Sequence, residues 1–197
     1  MCKIFYIQKR KYKMPTQERK KEIEKIVNQL MEKDKELELP AFDIVKFLKE
    51  KENFAIASQT MVDDTTGMLF VDDEEFVPDT NTHRLIVINS RLNEQPNYIP
   101  RRRFIIAHEY GHLILHKKAS KQYAHRDTSQ REAPMEKEAD FFARCLLMPK
   151  KIVDILLDID LVKDFSYENK IALISRIFNV TKKKATERLK DDLGYNG

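Results

Sequence analysis

The sequence predicts an α+β fold: N-terminal helices and a small, mainly antiparallel sheet pack on a helical core, which two C-terminal helices follow. Near the N-terminus, and again from Pro100 onward, apolar residues recur at the spacing of a helix face. Between these regions, short apolar runs alternate with turn-forming residues, which is typical of strands. Strands that precede a run of helices indicate an α+β architecture.

Each element follows from its own stretch of sequence. Residues 17–36 place apolar side chains at helical intervals among charges, which predicts an amphipathic helix. Pro40 suits the first turn of a second helix that continues to Lys51. The runs FAIASQTMV and GMLFV flank DDTTG, so we expect a β-hairpin, and RLIVIN at 84–89 predicts a third strand. Further helices are expected at about residues 101–117, 135–148, 150–158, 167–178 and 182–192.

Length and composition are those of a single domain. The 197 residues can bury a core, and 42% hydrophobic with 35% charged residues is typical of a globular chain with charged surface helices. We divide the chain into a disordered extension at 1–13, with Met14 as an alternative start to Met1, a main domain at 14–165 and a C-terminal helix pair at 166–197 that packs on it.

Composition also argues against several classes of protein. The N-terminal segment lacks the apolar core of a secretory signal, and no run reaches the roughly 18 apolar residues of a membrane helix. We therefore expect a cytoplasmic protein without membrane partners. Cys2 and Cys145 provide no disulfide framework. A net charge of +4 is too small to indicate nucleic-acid binding on its own.

The run RRRFIIAHEYGHLILH at 101–116 contains the strongest chemical signal. His108 and His112 are four residues apart, so a helix presents both imidazoles on one face, where they can bind one metal ion. Glu109 lies beside them and can accept a proton from an activated water without being a ligand. Taken alone, these residues also fit a second interpretation, a pair of core or solvated histidines.

A catalytic zinc ion needs a third protein ligand and an open position for water. His116 lies about 12 Å along the helix axis from His108, which is too far to share the ion. Lys118 stands where the longer form of the motif has a histidine. An acid in the helix EKEADFFARCLLMP remains, with Glu136 as the preferred ligand and Glu138 as its main rival.

Two further residues suit a pair of helices around a metal ion. Asp140 lies one turn after Glu136 and can accept the spare N–H of a ligand histidine, which fixes the tautomer of that histidine. Gly111 costs its helix about 1 kcal/mol relative to alanine. Close approach of the second helix would explain why a glycine stands there.

Together, the runs LIVINSRLNEQPNYIPRRRFIIAHEYGHLILH and EKEADFFARCLLMP resemble the ImmA/IrrE family of metallopeptidases over about residues 84–149. The resemblance implies a gluzincin-like, and hence zincin-like, core with one zinc ion bound by His108, His112 and Glu136, and with Glu109 as general base. It also implies a zinc metalloendopeptidase whose protein substrate is a helix-turn-helix transcriptional repressor, cleaved in an anti-repressor role.

Several roles stay open at the level of sequence. Tyr123, His125 or Arg126, between the two metal helices, could donate to the anionic tetrahedral intermediate, or could be ordinary surface residues. An extended peptide could pair with RLIVIN if that strand lies at a sheet edge, whereas an internal strand could not accept it. Arg101–Arg103 form either a surface cluster paired with nearby acids or a contact for an acidic partner.

The C-terminal run NKIALISRIFNVTKKKATERLKDDLG resembles a helix-turn-helix in which Thr181 caps the second helix. Lys182, Lys183, Lys184 and Arg188 give this helix a basic surface that could meet DNA phosphates. Amphipathic helix pairs are also ordinary packing units. The alternative function is therefore a non-proteolytic regulator that binds a repressor or DNA through these helices.

Overall fold

The computed structural model describes residues 15–61, 65–71, 77, 80–123 and 133–195, with the side chains of 117–123 and 133 excepted. The expected extension at 1–13 lies outside the described residues. The chain has the predicted α+β architecture. Its elements are α1 Gln17–Lys33, α2 Ile44–Lys51, β1 Ala55–Gln59, β2 Gly67–Val71, β3 Arg84–Asn89, α3 Tyr98–Tyr123, α4 Ala133–Leu147, α5 Lys150–Leu157, α6 Asp160–Lys163, α7 Tyr167–Ile177 and α8 Lys182–Thr186, which continues as a π-helical turn to Asp192.

The second helix, α2, starts after Asp43 rather than at Pro40. The Asp43 side chain accepts the backbone N–H groups of Val45 and Lys46, and such a cap defines a helix N-terminus. The expected place of Pro40 in the first turn is therefore wrong, whereas the helix itself and its end at Lys51 are confirmed.

The sheet is mixed and has the strand order β1-β3-β2. β1 runs parallel to β3, with Ala55 opposite Leu85, and β2 runs antiparallel to β3, with Gly67 opposite Ile88. Because β3 lies between the other two strands, the predicted hairpin of β1 and β2 is wrong. The expectation of a mainly antiparallel sheet is corrected in the same way.

β3 occupies the centre and has the longest continuous run of buried residues of the three strands. Its last four residues are buried in succession, whereas the last three residues of β1 are exposed. A strand that is covered on both faces belongs inside a sheet. RLIVIN is thus an internal strand, and the edge position considered from the sequence is wrong for it. The edges of the described sheet are β1 and β2.

α3 and α4 approach each other closely at Gly111. A Cβ on this glycine would lie 2.9 Å from Cδ1 of Phe142 and 3.4 Å from Cα of Ala139, so a larger residue requires the neighbours to move. The close helix approach predicted from the sequence is confirmed. Tyr110, next to this glycine, anchors α3 in the core through an edge-on contact with Phe47, with 6.0 Å between the ring centroids.

The C-terminal helices pack on α4 through buried charged groups. Arg188, which is 1% exposed, donates to the backbone carbonyl of Met148, and Arg144 of α4 donates to Asp192 at 2.6 Å. Thr181 caps α8, as predicted, by accepting a backbone N–H three residues later. Within the described ranges, every helix is too short or too polar to span a bilayer.

Candidate metal centre

α3 and α4 bring two histidines and one glutamate together. The Nε2 atoms of His108 and His112 lie 3.0 Å apart on one face of α3. Glu136, in the first turn of α4, places Oε2 at 3.1 Å from Nε2 of His108 and Oε1 at 3.2 Å from Nε2 of His112. One donor atom from each residue therefore points into a single small space, and these atoms all lie within 4.8 Å of one another.

These three donors fit a zinc ion. Two imidazole nitrogens and one carboxylate oxygen are a ligand set that catalytic zinc sites use, with the remaining position open to water. Zinc bonds of 2.0–2.2 Å in a tetrahedron separate neighbouring donors by roughly 3.3 Å. The observed separations of 3.0–3.2 Å are close to that value, so the side chains need little rearrangement to accept an ion.

Asp140 orients His108 from the other side of the ring. Its Oδ1 lies 3.0 Å from Nδ1 of His108, so a proton on Nδ1 is donated to the carboxylate and the lone pair on Nε2 is left for a metal. Such a carboxylate partner fixes the tautomer of a ligand histidine. The two carboxylates of α4 thus hold one imidazole, Glu136 at Nε2 and Asp140 at Nδ1.

The site is electrostatically suited to a cation. Burial lowers the pKa of His108, but hydrogen bonds to Asp140 and Glu136 outweigh burial and raise this pKa to about 9. Burial raises the pKa of the Glu136 and Asp140 carboxyls, but hydrogen bonds with the imidazoles hold both pKa values well below their usual range. Two ionised carboxylates therefore surround the histidines and favour positive charge among them.

Glu109 is 3% exposed and lies against the first residue of β2. A Cβ at Gly67 would lie 3.3 Å from Oε1 of Glu109 and 2.5 Å from Cγ2 of Ile105. Only a glycine lets the strand come this near to the carboxylate. The arrangement places an acid beside the metal-binding face of α3 and next to a sheet edge.

The rival ligand Glu138 points elsewhere. Its Oε2 accepts from Nη2 and Nε of Arg19 on α1, at 2.7 and 3.0 Å. The same oxygen lies 3.8 Å from Nε2 of His116, whose backbone departs from helical geometry, with φ −129° and ψ 33°. Neither Glu138 nor His116 joins the three clustered donors.

The remaining residues that the sequence analysis singled out lie away from the three clustered donors or outside the described residues. The side chain of Tyr123, and His125 and Arg126 altogether, lie outside the described residues. Arg103 is 8% exposed and donates from Nη1 to the backbone carbonyl of Phe42. The expectation of a surface cluster is therefore wrong for Arg103, because its face of α3 packs against the segment that leads into α2.

Sequence reasoning missed Lys184 as a neighbour of the site. The sequence predicts that it lies on a basic outer surface, but its Nζ lies 3.2 Å from Oδ2 of Asp140 and its side chain is only 17% exposed. The prediction is also wrong for Arg188, which is buried, so that only Lys182 and Lys183 of the four residues are exposed. No local signal could reveal this contact, since 44 residues separate Lys184 from Asp140.

Comparison with known families agrees with this geometry. The family model Peptidase_M78, described as the IrrE N-terminal-like domain, matches residues 60–190, which is well over half of the chain. The match spans β2, the histidines of α3, the acids of α4 and Lys184. No curated protein matches the chain. The protein therefore belongs to the family of peptidases with an IrrE N-terminal-like domain.

Proposed function

We propose that this protein is a zinc metalloendopeptidase. The observation that carries the proposal is the convergence of His108, His112 and Glu136 on one small space. Glu109, next to His108 on α3, lies beside the edge strand β2. A structural zinc site uses four protein ligands, whereas a catalytic site uses three and leaves one position open. The cluster has three members among the described residues, which supports catalysis.

The chemistry follows from the roles of the side chains. A zinc ion held by the three ligands supplies Lewis acidity, which lowers the pKa of a water and polarises the scissile carbonyl. Glu109 accepts a proton from the water as the water oxygen bonds to the carbonyl carbon. The same carboxylate then delivers this proton to the departing amine as the C–N bond breaks. Asp140 keeps the Nδ1 proton on His108 throughout.

β2 is the edge at which we place the substrate. Asn89 N–H donates to the carbonyl of Thr66, and backbone groups in an antiparallel pair alternate between facing and leaving the partner strand. Gly67 and Leu69 therefore direct their backbone groups away from β3. An extended peptide that pairs with this edge, as an added strand, passes beside Glu109.

The substrate class rests on the resemblance to the ImmA/IrrE family rather than on geometry. We propose a helix-turn-helix transcriptional repressor, which limited cleavage inactivates, so that the protein acts as an anti-repressor. Because such a repressor acts on DNA inside the cell, we propose that the cleavage takes place in the cytoplasm. Lys184 does not support direct DNA binding, because its side chain faces Asp140 rather than an outer surface.

The Glu109→Gln variant tests the function. Wild type, Glu109→Gln and His112→Ala are each co-expressed with a candidate helix-turn-helix repressor chosen from neighbouring genes, and intact repressor and fragments are identified by mass spectrometry. We expect wild type to bind one zinc ion and to cut. Glu109→Gln should bind zinc without cutting, and His112→Ala should do neither. Full anti-repressor activity of zinc-loaded Glu109→Gln would instead favour sequestration of the repressor without cleavage.

A further inference from the structure

Lys184 is the one member of the basic triplet on α8 that turns inward. Its Nζ lies 3.2 Å from Oδ2 of Asp140 and 4.1 Å from the ring centroid of Phe104 on α3. Glu187, one turn further along, accepts from the same ammonium group at 3.0 Å. Lysine loses up to about 2 kcal/mol of side-chain entropy when it is fixed. Three partners on three segments hold it in place.

The carboxylate of Asp140 connects Lys184 to the metal centre. Oδ1 faces Nδ1 of His108 at 3.0 Å, while Oδ2 faces the ammonium group of Lys184. Phe104, beneath the ammonium group, also contacts the His108 ring, with 6.5 Å between the centroids. Lys184 therefore contacts two direct neighbours of the same imidazole.

We propose that Lys184 is a positioning residue that limits how much negative charge Asp140 passes to His108; this role rests on the proposed zinc peptidase function. A carboxylate that accepts the N–H of a ligand histidine makes that histidine a stronger donor to the metal. An ammonium group on the second oxygen draws charge the other way. With Lys184 present, His108 donates less, and the ion keeps more of the Lewis acidity that peptide hydrolysis requires.

The charge role and a purely structural role predict opposite changes in metal affinity. If Lys184 only braced Asp140, its removal would loosen the ligand set and weaken zinc binding. If it limits charge donation, its removal also removes a positive charge near the ion, and both effects strengthen zinc binding. The sign of the change in affinity therefore distinguishes the two roles.

The test compares variants of the full chain by competition for zinc with a chromophoric chelator. Lys184→Met retains an apolar stem over Phe104 and removes the ammonium group. We expect it to bind zinc about three- to tenfold more tightly and to cleave with a several-fold lower kcat. Lys184→Arg should keep the wild-type affinity. Lys183→Met, the matched control on the exposed side of α8, should change neither quantity.

A double-mutant cycle with Asp140→Asn tests whether Lys184 acts through Asp140. In the Asp140→Asn background we expect Lys184→Met to strengthen zinc binding by a clearly smaller factor than in the wild-type background, because only the direct effect of the lost charge remains; an equal factor in both backgrounds would show that Lys184 does not act through Asp140. Unfolding midpoints identify any variant whose fold is destabilised. If Lys184→Met is destabilised, the zinc affinity of Lys184→Gln, which also lacks the charge, is used in its place. Unchanged or weaker zinc binding in both uncharged variants overturns the role of Lys184. Absence of zinc uptake by the wild type overturns the proposed function, and the role of Lys184 with it.

Discussion

Arg19 binds the second candidate acid of α4, Glu138, on the side facing α1. Its guanidinium group donates twice to one oxygen of Glu138, and Glu138 therefore turns toward α1. Glu136, two residues earlier, points to a different side of the helix and meets His108 and His112. The run EKEAD contains two plausible ligands, helix geometry puts them on different sides of α4, and Arg19 fixes the orientation of Glu138.

Removal of Glu136 should abolish stoichiometric zinc binding, whereas removal of Glu138 should not. Loss of an outer partner of a metal ligand already costs 10–100-fold in affinity, so Glu136→Ala, which removes a ligand, should cost at least about 100-fold. Metal analysis after gel filtration measures the occupancy. One zinc ion retained in Glu136→Ala, together with its loss in Glu138→Ala, would reverse the assignment.

Gly67 should be required for turnover but not for metal binding. A Cβ at this position would contact Ile105 and the carboxylate of Glu109, so Gly67→Ala should displace the proposed general base from its position. Misplacement by about 1 Å can cost 10²-fold in rate, and we expect kcat/KM to fall by about 10–100-fold. Zinc occupancy and the unfolding midpoint serve as controls. A wild-type rate in the variant would show that the strand does not restrict Glu109.

At the level of elements, local sequence patterns predict the features that depend on residues close together in the chain, such as helix faces and strand positions. The spacing of His108 and His112 suffices to place two imidazoles on one helix face, and periodicity reveals the strands and most helices. Strand order is different, because it depends on how runs far apart in sequence compete for the centre of the sheet. DDTTG predicts a hairpin, yet β3, with its four successive buried residues, takes the central place. Arg19 meets its acid across 119 residues, beyond any local pattern.

Gly111→Ala should destabilise the protein by disturbing the contact of α3 and α4. The added methyl would lie 2.9 Å from the Phe142 ring, and overpacking of this kind typically costs about 1–3 kcal/mol. The gain in helix propensity, about 1 kcal/mol, offsets only part of this cost. Urea unfolding of the metal-free protein measures the difference. A higher midpoint than that of wild type would mean that the ring moves aside without cost.

Cys145 of α4 should be chemically inert in the folded protein. Burial raises the pKa of its thiol to about 12, so at pH 8 the group carries almost no thiolate, the reactive form. Iodoacetamide at pH 8 should leave Cys145 unmodified in the native state and should label it in guanidinium chloride. Peptide mapping by mass spectrometry separates it from Cys2. Rapid native labelling would show that α4 opens frequently.

At the scale of the whole molecule, one buried carboxylate joins three parts of the chain. The side chain of Asp192 is 0% exposed and lies 2.6 Å from Arg144 of α4, 3.7 Å from Lys20 of α1 and 3.8 Å from Arg188. Buried charges require such compensation, because an isolated one is costly to keep out of water. The N-terminal helix, the helix of the metal centre and the C-terminal turn therefore depend on one another.

Asp192→Asn should lower the free energy of unfolding by about 3–5 kcal/mol, since it leaves three buried or half-buried cations without their shared anion. Asp191→Asn is the matched control, because this neighbouring residue is exposed and should change stability by less than about 0.5 kcal/mol. Guanidinium unfolding of both variants gives the comparison. Equal midpoints would show that water compensates the cations.

The contacts of α4 also bear on the stage of protein synthesis at which the candidate metal centre can assemble. A ribosome produces Glu136 and Asp140 well before Lys184 and Asp192. Until those later residues emerge, Arg144 lacks its buried anion and Asp140 lacks its ammonium partner, and α4 can pack only on α1 and α3. We therefore expect the candidate metal centre to reach its final geometry only late in synthesis and folding.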